Sequence, residues 1–196
     1  MSQDAIVMLK EDHKEVRALF REFQKSGTTT ARKGKLVEQI IELLTVHTFI
    51  ENEVMYPRVR DLLPDLEDDV LESYEEHHVA DVLVMELLPM TPEDERFEAK
   101  ATVLIESVTH HIEEEEQEWF PKVRERLTRT QLQEIGAELA EAKARAPRRP
   151  EQPSALKKTI DDRVCTVYGA NETLIRWCPA SPKSSVSDLD QHALML

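Results

Sequence analysis

Two stretches of the chain are near copies: HTFIENEVMYP at residues 47–57 and HIEEEEQEWFP at residues 111–121. Each begins with His, carries Glu four residues on, and ends in an aromatic residue followed by Pro. On a helix, residues i and i+4 share one face. His47 with Glu51, and His111 with Glu115, therefore each present an imidazole and a carboxylate together. Imidazole suits iron and other transition metals, and a carboxylate can bridge two ions.

The surrounding pattern decides whether these groups face solvent or core. One inward series reads Leu36, Ile40, Leu43, His47, Glu51, Val54; another reads Leu104, Val108, His111, Glu115, Trp119. Two more stripes each hold a His where a hydrophobe belongs: Leu9, His13, Val16, Phe20, Phe23, and Val70, Tyr74, His77, Ala80, Val84. Four imidazoles and two carboxylates are thus expected inside one bundle, with no Lys or Arg on the inward stripes. A buried unpaired ion costs several kcal/mol, about half of a typical domain's net stability. Something positive must compensate the two carboxylates, and this ligand set suits a pair of divalent metals. His78 and His110 fall off the stripe. In the acidic run Glu113 to Glu116 only Glu115 is in register, the rest reading as a solvated face. Tyr56/Phe120 and Met55/Trp119 read as closing the core beyond the metals, and Tyr74 reads as core.

A shift of 64 residues lays one half of the chain on the other without gaps. His13 falls on His77, His47 on His111, Glu51 on Glu115 and Pro57 on Pro121. A duplicated helical hairpin explains this.

The elements that must position these groups are long amphipathic helices. They are expected at about 3–25, 31–63 with a kink at Pro57, 67–88, and 92–127 with a kink near Pro121. Thr91 reads as a cap with Pro92 in the first helical position. A short fifth helix is expected to open on a capping box at Thr130 to Gln133 and to reach Arg145. Short connections imply an all-α, antiparallel up-down four-helix bundle. The bundle is expected to occupy residues 1–146, and a Pro/Ser-rich linker and loosely ordered tail residues 147–196. Within the tail a short strand or hairpin is expected between Arg163 and Trp177. Composition agrees: among 196 residues Gly is scarce (4) and 33% are charged. The net charge of -14 opposes nucleic acid and anionic membranes and favours cations. No apolar run approaches membrane-spanning length, and a cytoplasmic location is expected. Cys165 and Cys178 both lie in the tail, so neither can ligate the metals. His192, also in the tail, has no assigned role.

His13, His47-x-x-x-Glu51, His77 and His111-x-x-x-Glu115, with aromatic-Pro after each HxxxE, resemble the hemerythrin-like proteins with HHE cation-binding domains. The resemblance spans about residues 4–145. It implies a four-helix bundle around two non-haem iron ions joined by an oxo or hydroxo bridge. It also implies bridging by Glu51 and Glu115, and terminal ligation by the four histidines. Oxygen-carrying members have one more His, a turn before the third-helix ligand; that position here is Ser73, a poor iron ligand. An open or water-filled position at the metal weakens the reading as a dedicated oxygen carrier. Related domains with this reduced set are associated with oxygen or iron sensing, nitric oxide chemistry and peroxide breakdown.

Three functional readings follow. The first is a di-iron protein that binds oxygen, peroxide or nitric oxide, with catalase-like peroxide breakdown as its turnover. The second is a sensing module without turnover, passing iron or oxygen occupancy to a protein partner through the tail. The third is a metal-free helical interaction protein.

Overall fold

The computed structural model describes residues 4–150. Helix α1 spans Ala5–Gln24 and α2 Thr30–Ile50; a π turn at Glu51–Met55 leads into α3, Tyr56–Leu62. A 3₁₀ turn at Pro64–Leu66 precedes α4, Glu67–Leu87. Helix α5 is Phe97–Glu114, followed by a π turn at Glu115–Trp119, α6 at Phe120–Arg126 and α7 at Arg129–Arg145. The described residues contain no strand. α1 packs on α2 and α4 on α5, giving the two hairpins of an all-helical bundle, and α7 lies against α1 and α2. The expected strand or hairpin, both cysteines and the tail lie outside the described residues.

Local chemistry sets the helix starts. Asp4 caps α1 by accepting from the Val7 N–H at 3.2 Å, and Thr29 caps α2 by accepting from Arg32 N–H at 3.3 Å. The capping box of α7 is Thr128 with Gln131, two residues earlier than expected. Two overlapping Thr-x-x-Gln matches compete there. The earlier one sets buried Leu127 and Leu132 on either side of the cap, as a hydrophobic staple. Nor does α5 begin at Pro92. The Asp94 carboxylate accepts from both the N–H and the hydroxyl of Thr91, which closes a turn. Regular helix starts only at buried Phe97.

Pro57 and Pro121 do not simply kink their helices. Each follows a π turn in which the N–H of the residue before Pro reaches back five residues, Tyr56 to Glu51 O and Phe120 to Glu115 O. A proline inside a helix supplies no N–H and crowds the carbonyl four residues back. Widening the preceding turn accommodates both demands. It also changes register, stacking Tyr56 rather than Met55 one turn above Glu51.

The apolar core is split in two. One cluster gathers Leu9, Ile50, Tyr56, Val70, Trp119, Phe120 and the inner face of α7; the other gathers Val16, Phe20, Leu36, Val84, Phe97 and Leu104. Between them lies a polar layer containing the six inward His and Glu residues. Leu43 is only half-buried against the second cluster; Leu44 takes the buried place.

Gly34 on α2 faces the loop before α5. A Cβ there would lie 2.4 Å from Pro92 Cγ, and a proline ring has little freedom to retreat. Gly34→Ala should therefore lower stability by about 1–3 kcal/mol despite its better helix propensity, measured as a fall in the denaturation midpoint.

Candidate metal centre

The four expected histidines and two expected glutamates converge. His13, His47, His77 and His111 are all buried, and Glu51 and Glu115 are 0% and 2% exposed. The imidazoles form two pairs. His13 Nε2 lies 3.1 Å from His47 Nε2, and His77 Nε2 lies 3.0 Å from His111 Nε2. Two ligand atoms each about 2.1 Å from a shared ion, at right angles, would be about 3.0 Å apart.

The carboxylates lie between the pairs. Glu51 Oε2 is 3.1 Å from His47 Nε2 and 3.4 Å from His77 Nε2. Glu115 Oε2 is 3.3 Å from His13 Nε2 and 3.8 Å from His111 Nε2. Each glutamate thus faces the His on its own helix and one from the other hairpin, as the 64-residue duplication requires. Both oxygens of Glu51 and Oε2 of Glu115 are buried without a hydrogen-bond partner. Potential ligand atoms cluster as His13, His47, Glu51, Glu115 and as Glu51, His77, His111, with Glu51 in both groups. The donor set and its orphaned oxygens fit two cations.

The outer ring nitrogens have their own partners. His13 Nδ1 is 2.9 Å from Glu116 Oε1, His77 Nδ1 is 3.0 Å from Asn52 Oδ1, and His111 Nδ1 is 2.6 Å from Glu76 Oε2. His47 Nδ1 faces Asp12 Oδ2 at 3.7 Å, beyond hydrogen-bond length. An Nδ1–H held outward leaves the Nε2 lone pair for the centre. These partners obey the duplication: Asp12 maps onto Glu76, and Asn52 onto Glu116. Glu116 is therefore no mere solvated residue of an acidic run. The π turn beginning at Glu115 shifts register there, and the match of Glu116 to Asn52 was the sequence signal. His110 is exposed, as expected, and pairs with Glu114 at 3.3 Å.

Tyr56 departs from its expected role of closing the core. It is fully buried, but its hydroxyl donates to Glu115 Oε1 at 3.1 Å and lies 3.2 Å from His77 Nε2. The equivalent position in the other half is Phe120, which stacks on His13 with ring centroids 5.8 Å apart. Tyr74 is core, meeting the Tyr56 ring edge-on at 5.2 Å.

This sequence matches the hemerythrin HHE cation binding domain family over residues 4–123. The chain belongs to that family. This HHE domain chain is also 31% identical, over 147 residues, to a protein named DNA nickase from Nostoc sp. (strain PCC 7120 / SAG 25.82 / UTEX 2576). That match covers 75% of this chain but 40% of the relative, so the chain spans less than half of the relative's length. A crystal structure of a hemerythrin HHE cation binding domain-containing protein from Mycobacterium kansasii shares the fold, with TM-score 0.62 and 21% identity. It covers 73% of this chain and 86% of the other. Among the described residues no helix is long and apolar enough to cross a membrane.

Without metal, protons carry the compensating charge. Burial disfavours charged imidazoles, but Glu115 and Glu116 hold His13 up at about 9. Against the same burial penalty, Glu115 and Glu76 hold His111 up at about 9. Burial drives His77 down to about 3, helped by repulsion from His111. Burial and the neighbouring Glu115 raise Glu51 to about 7. Burial opposes the charge on Glu115, yet His111 and His13 bring it down to about 2. A metal needs the free Nε2 lone pair, so loading must expel the protons from His13 and His111. Near pH 7 loading should release at least about two protons per chain, and affinity should rise as pH rises toward 9. Calorimetry in buffers of different ionisation enthalpy reads the proton count; a count near zero would contradict this electrostatic picture.

Proposed function

We propose that the chain is a non-haem di-iron protein. His13, His47, His77 and His111 act as terminal ligands, and Glu51 and Glu115 lie between the two ions. Its ligands are small: oxygen, peroxide or nitric oxide. Breakdown of hydrogen peroxide to water and oxygen is the proposed turnover. One observation carries the reading: Glu51, fully buried, offers two oxygens without a hydrogen bond between two histidine pairs. Iron, when bound, supplies two metal centres that pass electrons between ferrous and ferric states. The sensing alternative shares the same centre and differs only in lacking turnover. DNA nicking, named for the Nostoc relative, is not part of the proposal. The chain spans 40% of that protein, and its net charge of -14 opposes phosphate binding.

The protein's own groups hold and orient. Glu116, Asn52 and Glu76 fix the planes of His13, His77 and His111, so the Nε2 atoms need no reorganisation to ligate. Tyr56 keeps its proton, because burial and the charges of Glu115 and Glu51 push its phenol well above the usual range. It is thus a proton donor held over Glu115 Oε1. A small ligand at the centre would meet that hydroxyl.

The deciding experiment loads purified protein with iron, measures metal per chain, and records optical spectra with and without azide, oxygen and peroxide. About two irons per chain are expected. Chelation should lower the melting temperature, because metal binds the folded state alone. Glu115→Ala should lose iron and its charge-transfer absorption. Its neighbour Glu114→Ala, on the flank, should keep iron and stay within about 0.5 kcal/mol of wild type. Retention of iron by Glu115→Ala, or a fully loaded chain with one ion, would contradict the dinuclear reading.

Tyr56→Phe makes the two halves of the centre alike. Iron content should stay near two while peroxide turnover falls about tenfold or more, a modest share of what a positioned proton donor contributes. Unchanged turnover would remove Tyr56 from the chemistry.

A further inference from the structure

A cavity of about 70 Å³ opens beside one half of the centre, lined by Ser73, His111, Glu115 and Trp119. It exists because Ser73 is small and turned back. Its hydroxyl donates to the Asp69 carbonyl at 3.0 Å, and no longer side chain stands at that position to cross the gap. A space of that size holds a few waters and suits diatomic molecules, peroxide or azide. Trp119 adds a buried indole N–H that has no acceptor among the described residues. The outer lining is acidic: Asp69, Glu72, Glu76, Glu114 and Glu118. A single ammonium, Lys122, offsets them, and it is spent on Asp69 at 2.9 Å.

We propose that this cavity is the access route to the centre, that it delivers ligands to the His77/His111 half, and that its acidic rim selects against anions. The proposal rests on the di-iron reading above and adds which half is reached and what may pass. A narrow opening lined by one sign of charge focuses its field, lowering the local concentration of like-charged solutes and leaving neutral ones unaffected. Neutral peroxide, oxygen and nitric oxide pass; azide, nitrite and superoxide are retarded. Tyr56 is on the same side of the centre, donating to Glu115 Oε1 at 3.1 Å and 3.2 Å from His77 Nε2.

The test follows binding rates on iron-loaded full-length protein by stopped flow. Azide is the anionic probe, on the ferric form, and nitric oxide the neutral probe, on the ferrous form. Iron content is checked first in every variant. Ser73→Leu fills the cavity and should slow both probes at least tenfold with about two irons retained. Glu72→Gln with Glu118→Gln removes two exposed rim charges. It should speed azide about threefold or more at low salt and leave nitric oxide unchanged. Added salt should speed azide in wild type and lose that effect in the rim variant. Both rim residues are on the surface, so this arm stands even if Ser73→Leu does not fold. Unslowed probes in an iron-loaded Ser73→Leu protein overturn the route. Equal acceleration of both probes, or none, in the rim variant overturns the charge selection. Either result leaves the di-iron reading intact, whereas a wild-type chain that takes up no iron overturns that reading and this proposal together.

Discussion

Two carboxylates buried in the middle of a helical bundle set the terms for everything else in this fold. Glu51 and Glu115 are almost wholly out of water, and among the described residues their ion pairs are to histidines alone. In isolation such charges would cost several kcal/mol each, against a net stability of about 5–15 kcal/mol for a whole domain. The four imidazoles around them are the compensating groups, as proton carriers when metal is absent and as co-ligands when it is present. The polar layer runs across the bundle and divides the apolar core into two clusters. Each must be large enough to hold its own end of the helices together. The cluster around Leu9 and Tyr56 gains that size from α7, whose Leu132, Ile135 and Leu139 close over α1 and the π turn at Glu51–Met55.

The paired π turns translate a proline into a site feature. Pro57 and Pro121 demand a widened turn, and the widening moves the following aromatic residue over the glutamate. In one half that residue is a tyrosine that donates to Glu115. In the other it is a phenylalanine that only stacks on His13. Duplication supplied two equal halves, and single substitutions on a common backbone made them unequal.

Much of this was legible in the sequence because helical register is a strong signal. Six polar residues replacing hydrophobes on four stripes, repeated at one offset, located the centre without any structure. What escaped was whatever depends on departures from the regular 3.6-residue period. Tyr56 and Glu116 lie beyond the point where a π turn resets the count, so a straight-helix projection placed one in the core and the other in solvent. The start of α5 was misread because Thr91 and Pro92 satisfy a generic helix-start pattern. The Asp94 side chain and the Gly34 contact hold them in a turn instead. For α7, two capping boxes overlapped within six residues, and only the burial of Leu127 separates them. Asp12 and Glu76 were visible through the offset, but exposure patterns alone do not reveal that a half-exposed carboxylate reaches a ring nitrogen.

The outer partners make the two histidine pairs electrostatically distinct. His13 and His47 both face carboxylates, Glu116 and Asp12, and each carboxylate is tied in turn to a cation, Arg17 and Lys143. His77 instead faces the neutral amide of Asn52, and Glu76, behind His111, stands beside Glu114 rather than a cation. A carboxylate on Nδ1 makes the imidazole a stronger donor at Nε2, whereas an amide does so less. Pairing that carboxylate with Arg17 or Lys143 also fixes its position and keeps it charged. In the first half only Glu116 is within hydrogen-bond length, because His47 Nδ1 lies 3.7 Å from Asp12, whereas both Nδ1 atoms of the second half are held. The half with Asn52 carries both the Tyr56 hydroxyl and the Ser73 cavity. Lys143 belongs to α7, so the helix that completes the Leu9/Tyr56 cluster also holds Asp12, which faces His47. Loss of α7 would remove a brace from one histidine pair and leave the other's direct partners in place.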